Sequence, residues 1–155
     1  MSRIQLALNV NDLQSAIAFY TKLFGTEPHK VRDGYANFAI SEPPLKLVLI
    51  ESPGNGGSLN HLGVEVESSD EVAMAIDRFR SVGLPTDVEE KTTCCFALQD
   101  KVWVHGPDSE PWEVYTVLAD APLMHDVPRA GEAESVCCAV EVEPVQLVRR
   151  SENCC

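Results

Sequence analysis

A chain of 155 residues with 45% hydrophobic and 23% charged residues has the composition of a globular protein of one domain, or of two half-size modules sharing a core. Its formal net charge of −12 excludes nucleic acid, which needs a basic face, and disfavours anionic membranes. No apolar run nears the roughly 18 residues of a membrane span, and Met1-Ser2-Arg3-Ile4 carries no export signal, so the expected location is cytoplasmic.

Along the chain, Ile4-Gln5-Leu6-Ala7-Leu8-Asn9-Val10 alternates as a strand does. Asn11-Asp12 caps a helix whose Leu13, Ile17, Tyr20 and Phe24 recur at helical spacing, and Gly25 stops it. Short strand-like runs follow over Glu27–Val31, Tyr35–Ile40 and Leu45–Glu51, with turns at Asp33-Gly34 and Pro43-Pro44. The strongest linker signal is Ser52-Pro53-Gly54-Asn55-Gly56-Gly57-Ser58. The pattern then restarts. Asn60–Val66 reads as a strand, and Ser68-Ser69-Asp70 caps a helix over Glu71–Val82 that Gly83 ends. Strand-like runs follow over Pro85–Glu90, Cys94–Leu98, Lys101–His105 and Trp112–Leu118. The repeat of about 56 residues predicts an α+β fold of two βαβββ modules, 1–57 and 58–120, forming one curved mixed sheet around a metal-binding cleft. Residues 121–155 read as a poorly ordered tail, with room for one added strand.

The six cysteines fall as three adjacent pairs, Cys94-Cys95, Cys137-Cys138 and Cys154-Cys155. Adjacent cysteines staple distant segments poorly, so these read as free thiols suited to soft ions. Coincidence of small residues remains the plain alternative for any one pair.

Side chains alternate across a strand. Gln5, Ala7 and Asn9, with His61, Gly63 and Glu65, are therefore expected on the cleft face, and Glu113, Tyr115 and Val117 share a face in the last strand. An amide oxygen, an imidazole and a carboxylate then converge from three strands, a set suited to iron, manganese or zinc. Taken singly, a histidine at a strand start is more often structural than a ligand, and glutamine is a poor ligand. Glu113 between Trp112 and Val114 is more telling, because a carboxylate in an apolar strand needs a partner. His29 and His125 read as surface residues, and His105 ranks behind His61.

The duplicated module, His61 opening its second half, and Gly106-Pro107-Asp108 with Pro111-Trp112-Glu113-Val114-Tyr115 closing it resemble the glyoxalase, bleomycin-resistance and extradiol-dioxygenase superfamily over roughly residues 3–120. Within it, Thr92-Thr93-Cys94-Cys95-Phe96, Lys101-Val102-Trp103-Val104 and Glu110–Tyr115 are similar to the organoarsenical carbon–arsenic lyases, a group that includes cadmium-induced proteins. The resemblance implies an enzyme that uses Fe(II) and O2 to release arsenite from methylarsenite and trivalent aromatic arsenicals. It implies Gln5, His61 and Glu113 as iron ligands and Cys94 and Cys95 as the arsenic-binding pair. Tyr115, in phase with Glu113, would line the pocket. The tail pairs receive no role from it, and monomer and homodimer stay open. A non-catalytic thiol protein binding arsenic, cadmium or an antibiotic is the alternative. A glyoxalase or a fosfomycin thiol transferase is a third, disfavoured because Leu45–Leu49 offers no carboxylate for a fourth ligand.

Trivalent arsenic prefers thiolates to oxygen. A monosubstituted arsenical has two exchangeable oxygens, so two thiolates hold it and leave the organic group free. Neighbouring residues of a regular strand face opposite ways. Cys94 and Cys95 can share one arsenic only where the backbone bends, and the polar Glu89–Thr93 run predicts a mobile loop there. A strand that buried one of the two in the core would speak against this reading.

Overall fold

The computed structural model describes residues 2–125, so the predicted 121–155 tail, with Cys137, Cys138, Cys154 and Cys155, lies almost wholly outside the described residues. Each half runs strand, helix, three strands. The first is β1 (Arg3–Val10), α1 (Leu13–Phe24), β2 (Lys30–Arg32), β3 (Tyr35–Ile40) and β4 (Leu45–Glu51). The second is β5 (Leu59–Glu65), α2 (Ser69–Ser81), β6 (Asp87–Cys94), β7 (Ala97–His105) and β8 (Pro111–Asp120). One eight-stranded sheet results, in the order β2-β3-β4-β1-β5-β8-β7-β6. Antiparallel β1 and β5 join the halves, while β4 and β8 lie parallel to them on either side. The architecture is α+β, a curved mixed sheet with two helices.

Both helices start at a side chain that takes up an unpaired amide. Asp12 accepts from the Ser15 N–H at 2.7 Å and Ser68 from the Glu71 N–H at 3.3 Å. Gly25 ends α1 in the left-handed conformation with φ 63°. The helices cover the outer face of the sheet. Leu13 of α1 packs with Ala36, Phe38, Leu47 and Leu49, and Val72, Ala75 and Phe79 of α2 pack with Val102 and Val114. The other face is concave. Its apolar part is Ala7, Tyr35, Val48, Ile50 and Cys94, reached by no helix. No helix among the described residues is long and apolar enough to cross a membrane.

The second half departs from the expected strands at one place. Cys94–Leu98 is not a strand of its own, since Cys94 ends β6 and Ala97 and Leu98 begin β7, which runs unbroken to His105, and Glu89–Thr93 is not a loop. Residues 87–94 are paired with β7, with an irregularity between Glu89 and Thr92 where Lys91 takes φ 49°. The chain reverses after Cys94, which pairs with Ala97. Cys95 and Phe96 form the two-residue turn at φ 55° and 60°, the both-positive geometry of a type I′ hairpin. That turn ordinarily uses Asn-Gly, so the sequence carries no glycine signal for it. Each non-glycine residue there costs about 1–2 kcal/mol.

Gly63 is the position where the concave face admits no side chain. It pairs with Gln5 on one side and Glu113 on the other. A Cβ there would stand 3.1 Å from Glu113 Cγ, 3.3 Å from Gln5 Cβ and 3.3 Å from Gln5 Nε2. Glycine in a strand interior is ordinarily worse than alanine by roughly 0.5–1 kcal/mol. Here the sign reverses, because backbone-fixed Gln5 Cβ and a fully bonded amide cannot retreat. Gly63→Ala is predicted to lower the urea-unfolding free energy by about 1–3 kcal/mol. A rise would show that the two side chains can part.

Candidate metal centre and dithiol

The concave face brings Gln5, His61 and Glu113 together from β1, β5 and β8. His61 Nε2 and Glu113 Oε1 are 3.3 Å apart. The amide nitrogen of Gln5 lies against both, 2.8 Å from His61 Nε2 and 2.7 Å from Glu113 Oε1. All three side chains are buried. The Tyr115 hydroxyl donates to Gln5 Oε1, which orients the amide with its N–H groups towards the other two. Gln5 Nε2 thus occupies the point on which an imidazole lone pair and a carboxylate converge.

This donor set fits a divalent cation. Two donors each about 2.1 Å from one ion, at a right angle, stand about 3 Å apart, close to the observed 3.3 Å. No group of three or more His, Cys, Asp or Glu side chains suited to a metal occurs among the described residues. The set counts three donors only because one is an amide.

Lys101 of β7 completes the electrostatics. Its Nζ donates to Glu113 Oε2 at 3.0 Å and is itself 1% exposed. Burial by itself would push the Glu113 carboxyl up. The Lys101 ammonium leads the groups that outweigh it and holds the carboxyl below its ordinary range. Burial, then the Glu113 charge, pushes the Tyr115 phenol well above its usual value, so it is a committed donor. Trp103 walls the site, its ring 5.5 Å from that of His61 and its indole N–H donating to Glu89 at 3.1 Å. Beside Gln5, β4 presents Lys46, 3.7 Å from Glu65 and over the Tyr115 ring. Burial lowers the Lys46 ammonium below its ordinary value, opposed by Glu65.

Cys94 and Cys95 meet as a pair, with sulfurs 3.4 Å apart. The turn, rather than a loose loop, puts both on one side. Cys94 packs against Ala7, Tyr35, Val48 and Ile50, with Cys95 and Phe96 beside it. Ala7 is the next cleft-facing residue after Gln5 on β1, about 7 Å along the strand. The pair therefore lies over the same concave face as the three donors. Cys94 is 1% exposed, whereas Cys95 is half-buried. Cys94, the last residue of β6, is thus buried in the core by a strand, the outcome that speaks against a pair carried on a mobile loop; the pair is instead set by a tight hairpin turn.

The hairpin tip is fastened. Lys30 Nζ donates to Phe96 O at 3.2 Å and pairs with Asp120, the Ala121 N–H donates to Phe96 O at 3.0 Å, and the Cys95 N–H donates to Met124 O at 2.7 Å. His125, expected at the surface, forms a bridge with Cys94 and is only partly exposed. His29 and His105 are exposed, away from the three donors.

The alternation argument reached Gln5, His61, Glu113 and Tyr115 and missed Lys101, Trp103, Lys46 and Gln99. The same alternation finds them. Ala97, Gln99, Lys101 and Trp103 are the buried phase of β7 before Val104, and a lysine in such a phase must answer a buried charge. Gln99 donates to Cys94 O at 3.2 Å, and its Oε1 is buried with no hydrogen-bond partner.

The Glu113–Lys101 pair makes a pH prediction. The native carboxyl sits below its unfolded value, so its stabilisation is present above that value and lost as pH falls through the lower folded one. In Lys101→Met, burial lifts the folded value above the unfolded one of about 4.3. The variant is then penalised by about 3–5 kcal/mol at neutral pH, and the penalty fades on acidification. Melting temperatures of both proteins from pH 8 to pH 4 are predicted to converge. A constant gap would show that Lys101 acts by packing alone.

Comparison with known proteins agrees with this geometry. The family model of the Glyoxalase/Bleomycin resistance protein/Dioxygenase superfamily matches residues 3–114. The cadmium-induced protein CadI of Mycobacterium bovis is 60% identical over 147 residues, covering 92% of this chain and 96% of that protein. The trivalent organoarsenical cleaving enzyme of Thermomonospora curvata is 58% identical over 139 residues, 89% of each chain. Among solved structures, the Mn(II)-bound glyoxalase of Novosphingobium aromaticivorans superposes with a TM-score of 0.56 at 19% identity, over 84% of this chain and 44% of that one. An extradiol ring-cleaving dioxygenase of B. fuscum gives 0.56 at 19%, over 80% of this chain and 35% of that one. The shared feature of such distant structures is the fold. On the family match and these identities, the chain belongs to the Glyoxalase/Bleomycin resistance protein/Dioxygenase superfamily.

Proposed function

We propose that the protein is a carbon–arsenic lyase that removes the organic group of a trivalent organoarsenical, with Fe(II) held by Gln5, His61 and Glu113 and O2 as co-substrate. The observation that carries this is the thiol pair, with sulfurs 3.4 Å apart, on the same concave face as a His, Glu and Gln donor set. The names of its relatives, one a trivalent organoarsenical cleaving enzyme, support the same reading.

The thiols do the capture. Cys94 and Cys95 displace both hydroxyls of R–As(OH)2, each thiol proton leaving with a hydroxyl as water. The arsenic stays trivalent, and R has no tether except the bond to be broken. The apolar face of Ala7, Val48 and Ile50 borders that group and excludes water. Tyr115 lies against the Gln5 amide beneath it, its hydroxyl donating to Gln5 Oε1 before the cation is bound. Lys101 keeps Glu113 ionised without taking the oxygen nearest His61. Gln5, His61 and Glu113 would hold the ferrous iron, which when bound would supply the activation of dioxygen. The overall balance needs no further reductant: CH3As(OH)2 and O2 give CH2O and As(OH)3, carbon losing the four electrons that dioxygen takes up. Because one sulfur is buried, entry of the arsenical requires the Cys95-Phe96 turn to lift from its contacts with Lys30 and residues 121–124.

A glyoxalase-type site is disfavoured, since the cleft face of β4 presents Lys46, Val48 and Ile50, with no carboxylate to serve as a further ligand. Sequestration without turnover is the competing reading, and one experiment separates the two. Protein, ferrous iron and methylarsenite are mixed without oxygen, and arsenite is quantified before and after air is admitted. Release only after oxygen is expected, abolished in Cys94→Ser and Cys95→Ser. His61→Ala is expected to keep arsenical binding and lose release. Tight binding with no arsenite in the wild type, or full turnover in either serine variant, would overturn the proposal.

A further inference from the structure

His61 sits in a strand beside a residue that ordinary alternation would turn away from it. In the β1–β5 ladder, Ala7 pairs with His61 and Leu8 with Leu59, so Asn60 is one residue too many. This is a β-bulge, and a bulge can turn two consecutive side chains to the same side. Asn60 and His61 are both buried, and Asn60 Oδ1 lies 2.7 Å from His61 Nδ1.

The contacts beyond Asn60 have a direction. The Ser58 hydroxyl donates to the Asn55 carbonyl at 2.7 Å, and a carbonyl can only accept. Ser58 Oγ therefore accepts from Asn9 Nδ2 at 2.9 Å. Asn9 then turns its Oδ1 to Asn60 and accepts from Asn60 Nδ2 at 2.9 Å. Asn60 is left with its Oδ1 towards the imidazole, so His61 Nδ1 must carry the proton. The other side of the ring leads to the same answer. The Tyr115 phenol donates to Gln5 Oε1, so Gln5 turns its N–H groups towards His61 Nε2 and Glu113 Oε1. Nε2 must then offer a lone pair. Two chains, one from the linker between the modules and one from β8, agree on the same tautomer.

We propose that the bulged Asn60 is a positioning residue that holds His61 in its Nδ1–H form, with the Nε2 lone pair aimed into the cleft as a metal donor. The inference rests on His61 as a metal ligand and is indifferent to which substrate the metal serves. Histidine ligands are commonly oriented through the ring nitrogen that does not bind the metal, and loss of that partner typically lowers metal affinity 10–100-fold. Here the orienting group is the amide next in sequence, available only because of the bulge.

The test reads the ring directly in the metal-free protein. Nitrogen-15 NMR of histidine-labelled protein at pH 8 distinguishes the protonated ring nitrogen from the bare one. The wild type is expected to show His61 with Nδ1 protonated and Nε2 bare. Asn60→Leu, which removes the acceptor and leaves only the Gln5 side to favour a bare Nε2, is expected to weaken that preference and to bind zinc 10–100-fold more weakly by calorimetry. Asn60→Asp keeps an acceptor at the same place and is expected to retain the tautomer, with zinc affinity within about threefold. A wild-type ring protonated at Nε2, or at both nitrogens, overturns the proposal without any variant. So does an Asn60→Leu protein with unchanged tautomer and affinity, or an Asn60→Asp protein as impaired as Asn60→Leu. A wild type that binds no zinc or ferrous iron, yet shows the Nδ1–H tautomer, would sink the metal reading and leave the positioning role of Asn60 standing.

Discussion

A carboxylate buried in the middle of a sheet is costly unless cationic or proton-donating groups surround it. Glu113 is 3% exposed, and its two oxygens are both met. Oε2 receives Lys101 and Oε1 receives the Gln5 amide, with His61 beside it. Much of the concave face follows from this requirement. Gly63 is bare so that Gln5 and Glu113 can meet across β5. Tyr115 orients Gln5, and Asn60 orients His61. The helices take no part and cover the opposite face.

On the proposed reading, one cleft serves a soft ion and a hard one. Thiols at the β6–β7 tip suit arsenic, whereas oxygen and imidazole donors in the floor suit a divalent metal. The sheet curves far enough for the tip of its last hairpin to close on Ala7, Tyr35, Val48 and Ile50 of the first half. Curvature therefore sets the separation of the two sites. The left-handed turn at Cys95 and Phe96 brings the sulfurs together, at a conformational cost its contacts with residues 30 and 121–124 must offset.

What was legible in the sequence was whatever obeys a period. Alternation sorted Gln5, His61, Glu113 and Tyr115 onto one face because β1, β5 and β8 are regular at those residues. The repeat located the two halves because helix caps and stop glycines recur in each. What escaped was wherever the period breaks. Cys95-Phe96 carries no turn residue, so a tight hairpin reads as a strand preceded by a loop. Asn60 lies on a bulge, and strict alternation turned it out of the cleft. Lys101 was legible in principle, as the cation that Glu113 needed, but nothing local to β7 names its partner. His125 reads as surface because its bridge to Cys94 joins segments about 30 residues apart in sequence, a separation no local pattern reports.

The central claim is that Gln5, His61 and Glu113 form one seat for a divalent cation. An amide binds a cation through its oxygen, the atom that now accepts from Tyr115. Loading must therefore turn the Gln5 amide over. Titrating zinc into the protein while following the side-chain amide resonances of Gln5 by nitrogen-15 NMR tests this directly. The account predicts that the Gln5 signal moves to a new position at one equivalent of zinc, and that it does not move in His61→Ala. A Gln5 amide that keeps its position while zinc binds elsewhere, or while no zinc binds, would contradict it.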